Sequence, residues 1–212
     1  MADATLSIVN TINRVVEQAQ EKYNIYIKSD YIAANIKIDG VATRGQYKDS
    51  NYETTTKEEY TKMMTCMLDV KVKRGSTVEM QANRQDDKLS MKGIVITIPI
   101  ETPVDHVFNT LFYNTVVQRK REAPMYSDDG DVISNSPIIV DDIECFVQRV
   151  GMRERQIDAG IDRNSVNQLI TSKNWDIQID DLLYVGDDKY KVTDIEELDD
   201  EVLSLYMTYY RG

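Results

Sequence analysis

The chain contains one histidine, His106, with Asp105 beside it, and two cysteines, Cys66 and Cys145, far apart in sequence. A neighbouring acid does not make His106 catalytic, because hydrolytic triads are assembled in space. Its place between two expected strands makes it a turn-exposed side chain. Zinc requires clustered Cys and His ligands, which one histidine and two distant cysteines cannot supply. Asp128, Asp129 and Asp131, and again Asp187 and Asp188, mark acidic turns without the spacing and terminal glutamate of a calcium loop. Adjacent acids such as Asp141-Asp142 alternate sides on a strand and do not converge as an acid/base pair. No serine sits in a nucleophile elbow, and no glycine-rich stretch has a phosphate-cradling pattern. No catalytic residue, cofactor or metal site is expected, and the chain does not read as an enzyme.

Positive charge is local. Arg119, Lys120 and Arg121 form one cluster, and Arg149, Arg153, Arg155 and Arg163 gather around the charged, glycine-flanked segment Gly151 to Asn164 with Gln156 and Asp158. A second long polar loop is expected over Val41 to Thr56, carrying Arg44, Gln46 and Lys48. Against these stands a formal net charge of -11. Duplex-binding proteins need clustered Lys and Arg, so that balance excludes a duplex-binding surface over most of the chain. The two cysteines read as buried free thiols folded in a reducing compartment. The start lacks the basic and apolar regions of a signal peptide. Ile94 to Ile100, broken by Pro99, is too short to span a bilayer, so no membrane role is expected.

The elements around these residues are mainly β. Leu6, Val9, Ile12, Val15, Val16 and Ala19 recur at helical spacing, predicting an amphipathic helix over Thr5 to Lys22 whose apolar stripe covers its own domain, the alternative being that it docks on a neighbouring subunit. Tyr31 to Ile38 reads as strand before an Asp39-Gly40 turn. A capping-box pattern at Thr55 to Glu59 precedes Tyr60, Met63, Met64 and Met67 and predicts a short helix. Alternation then marks strands at Val70–Val72, Val78–Met80, Ile94–Ile100, Val107–Val117 and Ile138–Val150, with a charged hairpin tip at Asn83 to Lys88. Gln118 to Pro137 combines a basic run, two prolines and an acidic turn, which reads as a linker.

From Trp175 to Tyr210 strand and turn signals agree most closely. Ile177 and Ile179 alternate, Leu182 to Val185 is a short apolar run, Gly186-Asp187-Asp188 is turn chemistry, Tyr190, Val192 and Ile195 resume an extended pattern, and Val202 to Tyr210 is β-branched and aromatic. That density of strands fits a small antiparallel barrel or sandwich. The expected organisation is a helix over 1–24, a first β module over 25–119, a linker over 120–137 and a second β module over 138–212. Residues 91–114 also align with 187–210, placing Ile96-Thr97 on Val192-Thr193, and Asp69 to Val72 aligns with Asp176 to Ile179. Chance matching of alternating segments and duplication into two tandem barrels account for this equally well.

The segment carries a family likeness. The pair Asp180-Asp181 leading into a short apolar strand, then Gly186-Asp187, then Tyr190-x-Val192, then an apolar-aromatic strand, resembles the β-barrel head-completion proteins of tailed phages, the stopper and adaptor rings of the neck. The likeness implies a structural virion protein, assembled in the host cytoplasm, whose homo-oligomeric ring of about 6 or 12 copies sits between portal and tail. It implies portal, neck and tail proteins as partners and a loop facing the DNA channel, for which Gly151 to Asn164 is the candidate. Contact with double-stranded DNA there would be non-specific. The competing reading is a non-catalytic interaction module of another tail-like or secretion assembly.

Overall fold

The computed structural model describes residues 10–22, 34–49, 59–81, 88–127, 129, 131–157, 161–196 and 201–211, and at some of these, including 122–125 and 132–139, the backbone alone. The chain divides into two compact units, Met1–Phe112 and Tyr113–Gly212. Each is a six-stranded antiparallel barrel, so the architecture is the tandem-barrel form of the mainly β fold.

The first barrel is built from β1 (Ala34–Ile38), β2 (Val41–Asp49), β3 (Thr61–Cys66), β4 (Thr77–Met80), β5 (Met91–Val95), β6 (Ile100–Glu101) and β7 (His106–Phe112). Its strands run β3-β2-β1-β4-β5-β7, β7 pairs back onto β3, and β6 continues along β7 past the end of β5. The second is built from β8 (Thr115–Tyr126), β9 (Val132–Arg149), β10 (Asn167–Ser172), β11 (Leu182–Val185), β12 (Asp188–Ile195) and β13 (Val202–Tyr209), closing in the order β10-β9-β8-β11-β12-β13. With β5 and β6 taken as one interrupted strand, both rings read three-two-one-four-five-six. Each is a pair of three-stranded meanders joined edge to edge. The interruption recurs, because β12 bulges between Val192 and Asp194 where the first barrel breaks after Val95.

The cores follow from strand alternation. Ala34, Ile36, Ile38, Met64, Cys66, Val78, Met80, Phe108 and Phe112 fill the first barrel, and Val117, Ile143, Cys145, Leu169, Leu183, Val192, Leu205 and Met207 fill the second. One cysteine lies in each core, and burial pushes both thiols up to about 12. The Asp39-Gly40 turn, with φ of 48° and 81°, has the two left-handed residues that a two-residue hairpin of the β1–β2 type requires.

Several expectations are corrected here. The polar segment from Val41 is strand β2 as far as Asp49, and residues 50–58 lie outside the described residues. Strand β3 replaces the helix expected through Met67, because Met64 packs inward while Met63 points out. Val70–Val72 and Ile177–Ile179 are connections, although Val70 and Ile177 are buried. Ile94–Ile100 is split between β5 and β6, and the Val107–Val117 run between β7 and β8. Residues 83–87 of the expected hairpin tip fall outside the described residues. Residues 10–22 are helical (α1), and residues 5–9 of the expected helix also lie outside the described residues. Ile12 and Val15, at 56% and 57% exposure, are not covered by the first barrel as expected.

The largest correction concerns the linker. Residues 120–137 belong to the β8–β9 hairpin, which pairs from Thr115↔Cys145 through Tyr126↔Val132, and the unit boundary lies at Phe112/Tyr113. Beyond Arg121 the two strands have no further strand partner among the described residues. They form a two-stranded ribbon in which Pro124 and Pro137 disrupt no neighbouring ladder.

Candidate functional site

Immediately before its fourth strand, each barrel turns a corner with the same hydrogen-bond pattern. In the first barrel the Gly75 N–H donates to the Val95 carbonyl (2.8 Å), the Val95 N–H to the Ser76 carbonyl (2.9 Å) and the Ser76 N–H to the Lys73 carbonyl (3.1 Å). The Lys73 N–H then donates to the Ser76 hydroxyl oxygen (3.2 Å). In the second barrel the Asp180 N–H donates to the Val192 carbonyl (3.0 Å), the Val192 N–H to the Asp181 carbonyl (3.0 Å) and the Asp181 N–H to the Gln178 carbonyl (3.2 Å). The Gln178 N–H donates to Asp181 Oδ2 (2.9 Å). Gly75 and Asp180 share the left-handed conformation, with φ of 81° and 75°. Asp tolerates it better than most residues with a Cβ.

The corners are capped with opposite polarity. In the first barrel Asp39 accepts from the Ser76 hydroxyl (2.7 Å) and the Thr77 N–H (2.8 Å). In the second the buried side chain is itself the acid. Asp181, 2% exposed, accepts a bidentate pair from Arg121 Nε (2.6 Å) and Nη2 (2.7 Å). Arg121 also reaches the Asp176 carboxylate (3.2 Å) and carbonyl (2.6 Å), and Arg119 bonds the Asp141 carboxylate and the same Asp176 carbonyl. Asp181 holds the Arg121 guanidinium charged, and Arg121 in turn holds the Asp176 carboxyl below its ordinary range. Such a lattice fixes β8 to β11. It is held together by its own charges.

Alternation along β8 puts Arg119 and Arg121 on the inner side and Lys120 on the outer wall. There the outer face carries cations over aromatic rings. Lys120 Nζ lies 4.5 Å from the centre of the Tyr184 ring, and Lys189 Nζ lies 4.4 Å from that of Tyr210 and 5.6 Å from that of Tyr184. Beside them opens a cleft of about 310 Å³, with Lys120, Asp180, Leu182, Lys191 and Tyr210 among its walls. Lys191 is paired with Asp180 (2.8 Å), which raises its pKa.

The residues that carry the likeness come together in this region as barrel framework. Asp180 and Asp181 make the corner, and Gly186 (φ 60°) and Asp187 turn the β11–β12 hairpin. Tyr190 stacks on Tyr209 at 4.9 Å, and Val192 is fully buried in the core. Arg44, Gln46 and Lys48 are not on a loop. They alternate with Thr43, Gly45 and Tyr47 along β2 and lie on its outer face.

Nor is Gly151 to Asn164 a plain loop, since Met152–Ile157 forms a short helix, α2. Arg155 donates to the carbonyls of Asp162 (3.0 Å) and Ser165, while Gln156 and Arg163 are exposed. Arg153 lies on α2, and Asp158 lies outside the described residues. His106 is buried, not turn-exposed, because it begins β7 on the face shared with Phe108. The neighbouring Asp105 carboxylate accepts from the Thr102 hydroxyl, and no carboxylate bonds His106 among the described residues. No metal-binding group of three or more His, Cys, Asp or Glu occurs among the described residues.

The class defined by this fold is therefore a tandem of two like antiparallel barrels whose converging charges close a barrel corner. No model of a known protein family matches the chain, and no curated protein matches it. The Lys–Tyr face was missed in the sequence because Lys120 falls in a run that reads as linker. Inside a strand, that same run would have predicted two inward arginines and one outward lysine.

Proposed function

We propose that the protein is a non-enzymatic structural subunit of a tailed-phage neck, forming a ring between portal and tail that joins head to tail and lines or seals the DNA channel. The observation that carries this reading is the use made of Asp180, Asp181, Gly186, Asp187, Tyr190 and Val192. The residues on which the likeness rests are barrel framework, and the charges gathered around them clamp strand to strand. Two barrels supply wall, and the β8–β9 ribbon supplies an arm that runs on beyond it. Within Gly151 to Asn164, Gln156 and Arg163 are among the described side chains left exposed to face a channel, with Met152, Asp162 and Asn164. The acidity of the whole chain suits a wall past which DNA slides without tight binding.

Negative-stain imaging of the purified protein across a concentration series tests this. Rings with an axial hole are expected, and dispersed monomers at every concentration would contradict the assignment.

A further inference from the structure

The outer face of the second barrel holds two ammonium groups without a carboxylate partner. Arg121 is committed to Asp181 and Asp176, and Lys191 to Asp180. Lys120 and Lys189 have only tyrosine rings as partners among the described residues. A chain of net charge -11 therefore presents a small cationic and aromatic surface next to an open cleft.

The same unit displays the complementary feature at a distance. The β8–β9 ribbon from Glu122 to Tyr126, at roughly 3.4 Å per residue, extends about 17 Å past the last pair at its root. Its tip is fixed by the Ser127 N–H donating to the Asp131 carbonyl (2.7 Å) and the Asp131 N–H donating to the Ser127 hydroxyl oxygen (3.1 Å). Asp129 and Asp131 are exposed there, without an ion pair among the described residues. Lys120 lies at the root of the ribbon that carries this tip, so a ribbon this short, with one register shift at its base and one near its tip, cannot bring the tip back to its own root. Complementary patches at two different places on one chain are satisfied only between copies. Repeated head to tail, that contact closes a ring or runs on as a filament.

We infer that the acidic tip of the β8–β9 ribbon of one copy docks on the Lys120–Lys189–Tyr184–Tyr210 face of the next. The inference rests on the ring reading above and names the contact that would build it. The occupant is a second copy of this chain. Nucleic acid fits less well, because Asp180 and the chain's overall charge oppose a polyanion at this cleft.

Charge exchange tests the contact. One full-length variant carries Asp129→Lys with Asp131→Lys, and another carries Lys120→Glu with Lys189→Glu, each checked by circular dichroism for wild-type melting. Sedimentation velocity is then run on each alone and on an equal mixture. Wild type should associate, and less so as salt rises. Each variant alone should associate at least about tenfold more weakly, since like charges then face each other. The mixture, in which every tip meets an opposite face, should recover. Variants that associate like wild type, or a mixture that does not recover, overturn the docking contact while leaving the ring reading standing. A wild-type protein that stays monomeric overturns both. Loss of binding to a short DNA duplex in the lysine variant, with association unchanged, would reassign the face to nucleic acid and also overturns the proposal.

Discussion

The two barrels solve one closure problem with donor and acceptor exchanged. Both turn the same hydrogen-bonded corner before the fourth strand, and both must satisfy a nearly buried polar side chain there, Ser76 or Asp181. A hydroxyl in the first barrel meets a carboxylate from a tight Asp39-Gly40 hairpin. In the second a carboxylate meets the Arg121 guanidinium, and the corresponding hairpin has grown into the β8–β9 ribbon. A buried neutral hydroxyl needs only an acceptor, whereas a buried acid needs a cation held rigidly by a strand. The longer hairpin thus couples an outward-reaching element to the closure of its own barrel.

The fifth and sixth strands differ in the same complementary manner. Val95 pairs with Thr110 as Val192 pairs with Met207, which sets Gly93 opposite Phe112 where the second barrel sets Tyr190 opposite Tyr209. The first barrel brings backbone close, since a Cβ on Gly93 would meet the Leu111 carbonyl at 2.5 Å. The second stacks two rings.

Substitutions at matched positions break the comparison most sharply. Asp181→Ala leaves Arg121 without its bidentate partner and should cost about 3–5 kcal/mol. The single tryptophan, Trp175, packs against the second core, so its fluorescence in a denaturant titration reports that barrel and should show the lowered midpoint. Gly93→Ala should cost about 1–3 kcal/mol through overpacking of β5 on β7, seen as a lower melting temperature by calorimetry. Asp39→Ala removes the carboxylate that accepts from Ser76 and Thr77 and should cost about 1–2 kcal/mol, with Trp175 fluorescence following the wild-type curve.

The smallest effect is on pH. The folded Asp176 carboxyl titrates below its unfolded value. Its contribution is therefore present above the ordinary carboxylate pKa, about 4, and is lost as pH falls through the folded value. Acid titration should lower the Trp175-monitored stability in that range, and Arg121→Gln should flatten the dependence.

How far the sequence disclosed this depended on periodicity. The run from Leu182 to Tyr209 was legible as β11 to β13 because alternation, the Gly186 turn and β-branched residues agreed. The repeat was visible but out of register. Aligning Ile96 with Val192 missed by one residue, because the shared corner equates Val95 with Val192, and equating Gly75 with Asp180 moves the upstream match to Val72 and Ile177. Backbone hydrogen bonds define most of that corner, and they ask only for a left-handed residue at Gly75 and Asp180 and a side-chain oxygen acceptor at Ser76 and Asp181. Arg119 to Arg121 read as linker since charge and proline dominate a local window. Only tertiary pairing shows that two of those charges are bound inside a barrel and that the prolines lie in an isolated ribbon. His106 was misplaced for the related reason that a polar side chain at a strand end looks like a turn.

The chain is two barrels, each locked by its own corner, and each holds one buried thiol pushed up to about 12. Peptide-resolved alkylation of Cys66 and Cys145 at mildly alkaline pH, in wild type, Asp181→Ala and Asp39→Ala, tests it directly. Wild type should protect both thiols, Asp181→Ala should expose Cys145 while Cys66 stays protected, and Asp39→Ala should do the reverse. Equal exposure of both cysteines by either substitution would contradict it.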